Sequence, residues 1–98
     1  MSLIRAIRFT ATWCGPCQQI KPNWLTFLKV NSDVECITVD IDEEDDEYQK
    51  MVLTYQIKSL PTLILITKDK TMCFKGSSDV INALKEYSFE NFVKSEEF

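Results

Sequence analysis

The sequence contains no histidine. That removes the commonest metal ligand and leaves four cysteines to be explained. A structural zinc site takes four ligands, usually as two pairs. Here there is one close pair, Cys14 and Cys17, while Cys36 and Cys73 each stand alone in an apolar stretch, so no metal site is expected. Long apolar runs are also missing, and none approaches the ~18 residues of a membrane span. Repeats, low-complexity tracts and linkers are absent. The opening Met1-Ser2-Leu3-Ile4-Arg5-Ala6-Ile7-Arg8 lacks the layout of a signal peptide, because arginine interrupts it. The expected compartment is therefore cytoplasmic and reducing, where four cysteines do not form a disulfide scaffold. Basic excess is missing too: a net charge of −4 and a pI near 4.7 leave no footprint for nucleic acid.

What is present is a chain of 98 residues, 45% hydrophobic, enough for a single domain over residues 1–98 with a small core. Its organising stretch is Trp13-Cys14-Gly15-Pro16-Cys17, which follows an apolar strand and opens an apolar-periodic helix. The nucleophile of thiol–disulfide exchange is the thiolate, and a free cysteine titrates near about 8.5. A sulfur at a helix N-terminus, beside unpaired N–H groups, is favoured as the anion. Gly15 lets the backbone turn close to the sulfur, and Pro16 suits the first helical turn, where its missing N–H would have no partner. Cys14 is then the exposed nucleophile and Cys17, one turn in, the resolving thiol. An inert Cys-x-x-Cys is the bland counter-reading.

Along the chain, Leu3 to Ala11 reads as a strand, with Ile7, Phe9 and Ala11 on one face and Arg8 and Thr10 on the other. From Cys17 to about Val30 the spacing of Ile20, Trp24, Phe27 and Leu28 predicts one helix, kinked at Pro22. Val34 to Ile41 is a second strand. The acidic run Asp42 to Glu47 reads as an exposed loop and helix N-terminus; a calcium loop fails for want of the glycine and glutamate it needs. A helix is expected over Glu47 to Tyr55, a strand over Thr62 to Thr67, and a hairpin return over Thr71 to Lys75. A last helix, capped by Ser77 or Ser78, runs from Asp79 to about Tyr87. Phe89, Phe92 and Val93 extend it or form an apolar tail.

Phe9-Thr10-Ala11-Thr12-Trp13-Cys14-Gly15-Pro16-Cys17, followed by Ile20-Lys21-Pro22, resembles the active-site stretch of the thioredoxin family. Tyr55-Gln56-Ile57 with Ser59-Leu60-Pro61-Thr62, then Val39-Asp40-Ile41-Asp42, and more weakly Gly76, carry the resemblance from about residue 4 to 87. It implies an α/β thioredoxin fold with a four-stranded mixed sheet flanked by helices, in the strand order second, first, third, fourth. The order read here, β-α-β-α-β-β-α, lacks the family's first β-α unit. That leaves the second strand as a bare edge, expected to be protected by the chain's own tail or by a second copy in a weak homodimer.

The resemblance further implies a protein-disulfide reductase cycling between dithiol and Cys14–Cys17 disulfide, with no bound cofactor and with thioredoxin reductase as electron donor. It implies a cis bond at Leu60–Pro61, with the Leu60 backbone pairing with an extended substrate. Leu60, Gly76 and Trp13 would form an apolar rim around Cys14. Trp13 is read as overlying the site, with a buried core indole as the bland counterpart, and Asp42 as accepting from that indole. Arg8 departs from the family, which carries a buried aspartate at the matching place. Either Arg8 lies on the sheet face that the family's first helix would cover, with its charge in water, or it lies under the dithiol and favours the Cys17 thiolate. Cys36 and Cys73 read as small core hydrophobes, with an intermolecular disulfide as the other reading. Rival functions are a glutathione-dependent, glutaredoxin-like reductase, against which Gly15-Pro16 and Trp13 speak, and a redox-silent thioredoxin-fold binding subunit.

Overall fold

The fold was taken from a computed structural model that describes residues 2–95, with side chains described through Phe89. β1 (Leu3–Thr10) is a largely buried inner strand of a four-stranded sheet of order β2-β1-β3-β4. β2 (Glu35–Asp40) runs parallel to it, while β3 (Thr62–Thr67) and β4 (Thr71–Lys75) continue the sheet antiparallel. The sheet is therefore mixed, in the order expected. β3 and β4 begin and end where the alternation and the Lys68-Asp69-Lys70 turn place them. A register shift between Leu3 and Arg5 puts Leu3 and Ala6 into the same core cluster and leaves Ile4 exposed.

Two apolar layers follow from strand alternation. On one face, Ala6, Leu63 and Leu65 meet Trp24 and Phe27 of α2 (Lys21–Val30) and Val80, Ala83 and Leu84 of α4 (Ser77–Ser95). On the other, Ile7, Phe9, Val39 and Ile64 meet Tyr48, Met51 and Val52 of α3 (Asp46–Thr54), with Tyr55 just beyond it. Trp24 and Phe27 stack at 5.5 Å with planes 9° apart. One helix-turn separation on a helix brings such a pair together.

Three expectations are corrected. The single kinked helix is two: α1 (Gly15–Gln19), starting two residues early, then a break at Ile20 and α2. Pro22 falls in the first turn of α2, where no donor is lost, so it starts a helix instead of bending one. The last helix starts at Ser77, so neither serine precedes it; Gly76, at φ 87°, precedes it and accepts from the Val80 N–H at 3.0 Å. Glycine takes that positive φ without a Cβ clash. Finally, the described tail adds no strand to β2, because α4 carries it as helix to Ser95. Among the described residues nothing pairs with the outer edge of β2, and residues 96–98 lie outside them.

Phe27 is fully buried between α4 and the sheet. Phe27→Ala is expected to lower unfolding stability by about 3–5 kcal/mol, read from urea denaturation monitored by circular dichroism.

Candidate active site

The dithiol turn hangs from the end of β1. The Ala11 carbonyl accepts from the Cys14 N–H at 3.2 Å and from the Gln18 side-chain amide at 3.2 Å. Cys14 is the N-cap of α1, with extended backbone at φ −87° and ψ 106°, and its sulfur accepts from the Cys17 N–H at 3.2 Å. Gly15 and Pro16 form the exposed first turn. Cys14 and Cys17 are joined as a disulfide, with Cα atoms 5.2 Å apart. Cys17 is fully buried. Cys14 is only 6% exposed, less than expected of an attacking sulfur, because Ile41 and Leu60 pack over the pair. The asymmetry between the two sulfurs nevertheless persists, since Cys14 lines an open cleft and Cys17 does not.

That cleft, of about 370 Å³, is lined by Trp13, Cys14, Ile41, Val52, Ile57, Lys58, Ser59 and Leu60. Trp13 is 68% exposed, which overturns a core indole, and its Nε1–H donates to an Asp42 carboxylate oxygen at 2.6 Å. Asp40 is occupied elsewhere, accepting from the Asp42 N–H at 2.9 Å. The Leu60–Pro61 bond is cis. Gly76 does not line the cleft. Its N–H donates to the Pro61 carbonyl at 3.0 Å, so it ties the end of β4 to the proline loop.

Ile41 and Ile57 entered the sequence reading only within the motifs that carry the resemblance, and Val52 only as an apolar helix position; none was expected to line the site. The local reason that Val52 and Ile57 do is the turn that ends α3. The Gln56 N–H donates to Leu53 and the Ile57 N–H to Val52, with Gln56 left-handed at φ 53°. This is a Schellman closure, which sets the residue after the turn against an apolar residue in the helix's last turn. Here that places Ile57 with Val52 in the lining of the cleft. A glycine after Tyr55 would have flagged the turn; glutamine hides it.

Arg8 does not lie on the α3 face. It shares the strand face of Ala6 and Thr10, beneath the dithiol, and is only 7% exposed, so most of the guanidinium is withdrawn from water, unlike the solvated charge of the first reading. Nη2 donates to the Cys17 carbonyl at 3.4 Å, while Nε is buried without a partner. Burial pushes the guanidinium below its ordinary value.

Cys36 is half-buried against the α2/α4 layer, as a small hydrophobe would be. Cys73 is exposed and corrects the same expectation, because β4 is an edge strand with alternate residues open to solvent. Burial, then the Asp33 charge, push the Cys36 thiol up. Among the described residues no group of three or more cysteine, aspartate or glutamate side chains is placed to hold a metal. The acidic run has a local role instead. Asp45 caps α3 by accepting from the Glu47 and Tyr48 N–H groups, and Gln49 donates to the Ile41 and Glu43 carbonyls.

A reversible sulfur pair on a short helix at the end of a central strand, one sulfur buried and one facing a cleft, defines a thiol–disulfide oxidoreductase built on a thioredoxin-type α/β sheet. The comparisons with known proteins agree. The thioredoxin family profile matches residues 3–95. Thioredoxin of Geodia cydonium is 32% identical over 88 residues, covering 90% of this chain and 74% of that protein. Thioredoxin-2 of Saccharomyces cerevisiae is 36% identical over 74 residues, covering 76% of this chain and 60% of that protein. The crystal structure of oxidised thioredoxin O2 from Arabidopsis thaliana superposes with a TM-score of 0.70 at 27% identity, covering 87% of this chain and 75% of that one. The chain belongs to the thioredoxin family, whose members exchange protein disulfides without a bound cofactor.

Gln56 is a left-handed non-glycine residue, which costs about 1–2 kcal/mol, partly offset by the greater freedom glycine has when unfolded. Gln56→Gly should therefore raise stability by about 0.5–1 kcal/mol in urea denaturation. In the oxidised protein at neutral pH, iodoacetamide should label Cys73 well before Cys36. Labelling of Cys36 should accelerate as pH rises, because its raised pKa keeps it protonated at neutrality. Mass spectrometry of the alkylated peptides reads both rates, and equal rates at neutral pH would contradict the expectation.

Proposed function

We propose that this chain reduces disulfides in other proteins. The observation that carries the reading is the division of labour within the Cys14–Cys17 pair: the Cys14 side lines the cleft, and the Cys17 sulfur is fully buried one turn into the helix. In the reduced chain the Cys14 thiolate keeps the Cys17 N–H as a donor, at the N-terminus of α1. It attacks one sulfur of a substrate disulfide, forming a mixed disulfide and releasing the first substrate thiolate. Cys17 then attacks the Cys14 sulfur, restores the internal disulfide and releases the second thiolate. Two electrons pass to the substrate per cycle.

Gly15 and Pro16 form the exposed turn beside the attacking sulfur, which the cleft reaches. Trp13, held by Asp42, and Leu60 frame the approach. An extended substrate segment pairs with the backbone at Leu60, beside Pro61 and the Gly76 that is bonded to it. Recognition is chiefly by backbone and apolar contact, which suits many substrates. The electron donor in this reading is thioredoxin reductase, in a reducing compartment such as the cytoplasm. A weak homodimer through the outer edge of β2 completes it, since that edge carries unpaired N–H and C=O groups.

Reduction of insulin by dithiothreitol tests the central claim. The wild-type chain should accelerate precipitation of the insulin B chain many-fold. Cys17→Ser should lose nearly all of that turnover and accumulate mixed disulfide at Cys14. Equal behaviour of the two proteins would favour a binding subunit over a reductase.

A further inference from the structure

The two arginines near the start of the chain differ sharply. Arg5 is exposed and pairs with Glu35 at 2.6 Å. Arg8 is more than nine-tenths buried and has no carboxylate partner among the described residues; its hydrogen bond goes to the carbonyl of the residue that carries the buried sulfur. Its Nε is an orphan, and so is the hydroxyl of Thr10, the next residue on the same strand face. A buried cation with no counter-ion is costly. In the oxidised chain the disulfide is uncharged and supplies none. On reduction Cys17, whose own carbonyl the guanidinium already contacts, becomes a group able to carry negative charge.

We propose that Arg8 is a positioning residue for the dithiol, carrying the counter-charge of the Cys17 thiolate so that the resolving sulfur is ionised before it is needed. The inference rests on the reductase reading above. When a partner dithiol opens the Cys14–Cys17 bond, the partner is oxidised to a disulfide and two electrons enter the pair. The proton that Cys17 would otherwise take up stays in solvent, because the guanidinium stabilises the anion. During substrate reduction, Cys14 forms the mixed disulfide, and Cys17 attacks its sulfur already as thiolate. No carboxylate has to accept a proton. The reduced form is stabilised, so the couple is poised toward a more oxidising potential than it would have with a neutral side chain at Arg8.

The remaining charges do not supply this role. Lys21 and Lys29 on α2, and Asp79, Lys85 and Glu86 on α4, are exposed. Asp40, at the end of β2, is half-buried and turned to the Asp42 N–H. The β3 neighbours of Arg8 and Phe9 are Leu63 and Thr62, both uncharged.

The test separates charge from hydrogen bonding. Arg8→Gln keeps a donor for the Cys17 carbonyl without the charge, and Arg8→Lys keeps a charge. With Cys14→Ser in each background, the thiolate absorbance of Cys17 is followed against pH. The midpoint should lie about one unit lower with arginine than with glutamine, and lysine should retain most of that difference. In the intact dithiol, equilibration with glutathione should shift about tenfold toward the disulfide in Arg8→Gln, which is roughly 30 mV for two electrons. If Arg8→Gln does not fold, Arg8→Met serves as the uncharged variant. An unchanged Cys17 midpoint in the uncharged variant, or a lysine variant that titrates like it, overturns the proposal. Failure of the unaltered chain to catalyse insulin reduction would instead strike the reductase reading, whatever the titration shows.

Discussion

One backbone carbonyl, that of Ala11, holds the dithiol turn to the sheet. It receives the Cys14 N–H and the Gln18 amide just past the last residue of β1. Because β1 is paired on both sides, by β2 and β3, that anchor sits on the most constrained part of the sheet. Cys14 is thereby fixed as a helix cap, and Cys17 is carried inward onto Ala11. The Ile41 N–H, bonded to the Thr10 carbonyl, brings the end of β2 to the same place, and Asp42 follows with its grip on Trp13. Attacking sulfur, resolving sulfur and Trp13 trace to the carboxyl ends of β1 and β2, where open α/β sheets gather their ligands, and Leu60 joins them from the amino end of antiparallel β3.

Much of this was legible in the chain, and the reason is locality. The turn Trp13 to Cys17 carries its own geometry in contiguous residues: a small residue, a proline suited to a first turn, and two sulfurs one turn apart. β3 was marked by a continuous apolar run and β4 by alternation, with a polar turn between them, and they fall where expected. The break at Ile20 was harder to see, because the apolar spacing of Ile20, Trp24 and Phe27 continues across it; those side chains face one core although the backbone restarts. Exposure of Cys73 depends on β4 being an edge, which the strand's own residues do not state.

Arg8 shows where alternation stops being informative. Period two places Arg8 and Thr10 together, opposite Ile7 and Phe9, but does not say which side receives α2 and α4. The handedness of the crossover from β1 to the parallel β2 decides that. With a right-handed connection, the helix that follows Cys17 packs over the Ala6 and Arg8 face, and the guanidinium is enclosed. Its long stem is buried, and only a small part of the guanidinium meets solvent. The departure from the family pattern thus falls directly under the chemistry, not on an idle face.

The closure at the end of α3 has a dynamic corollary. Ile57 is not carried on a free loop: its N–H is bonded to Val52 within the helix's final turn, and the Tyr55 and Gln56 N–H groups are bonded there too. Those amides share one cooperative opening unit with the helix end. The Val52 and Ile57 part of the lining recedes only as that turn frays, whereas the Trp13 indole is held by a single exposed hydrogen bond. Breathing of the groove is therefore uneven, stiff where secondary structure sets the lining and compliant where one side chain does.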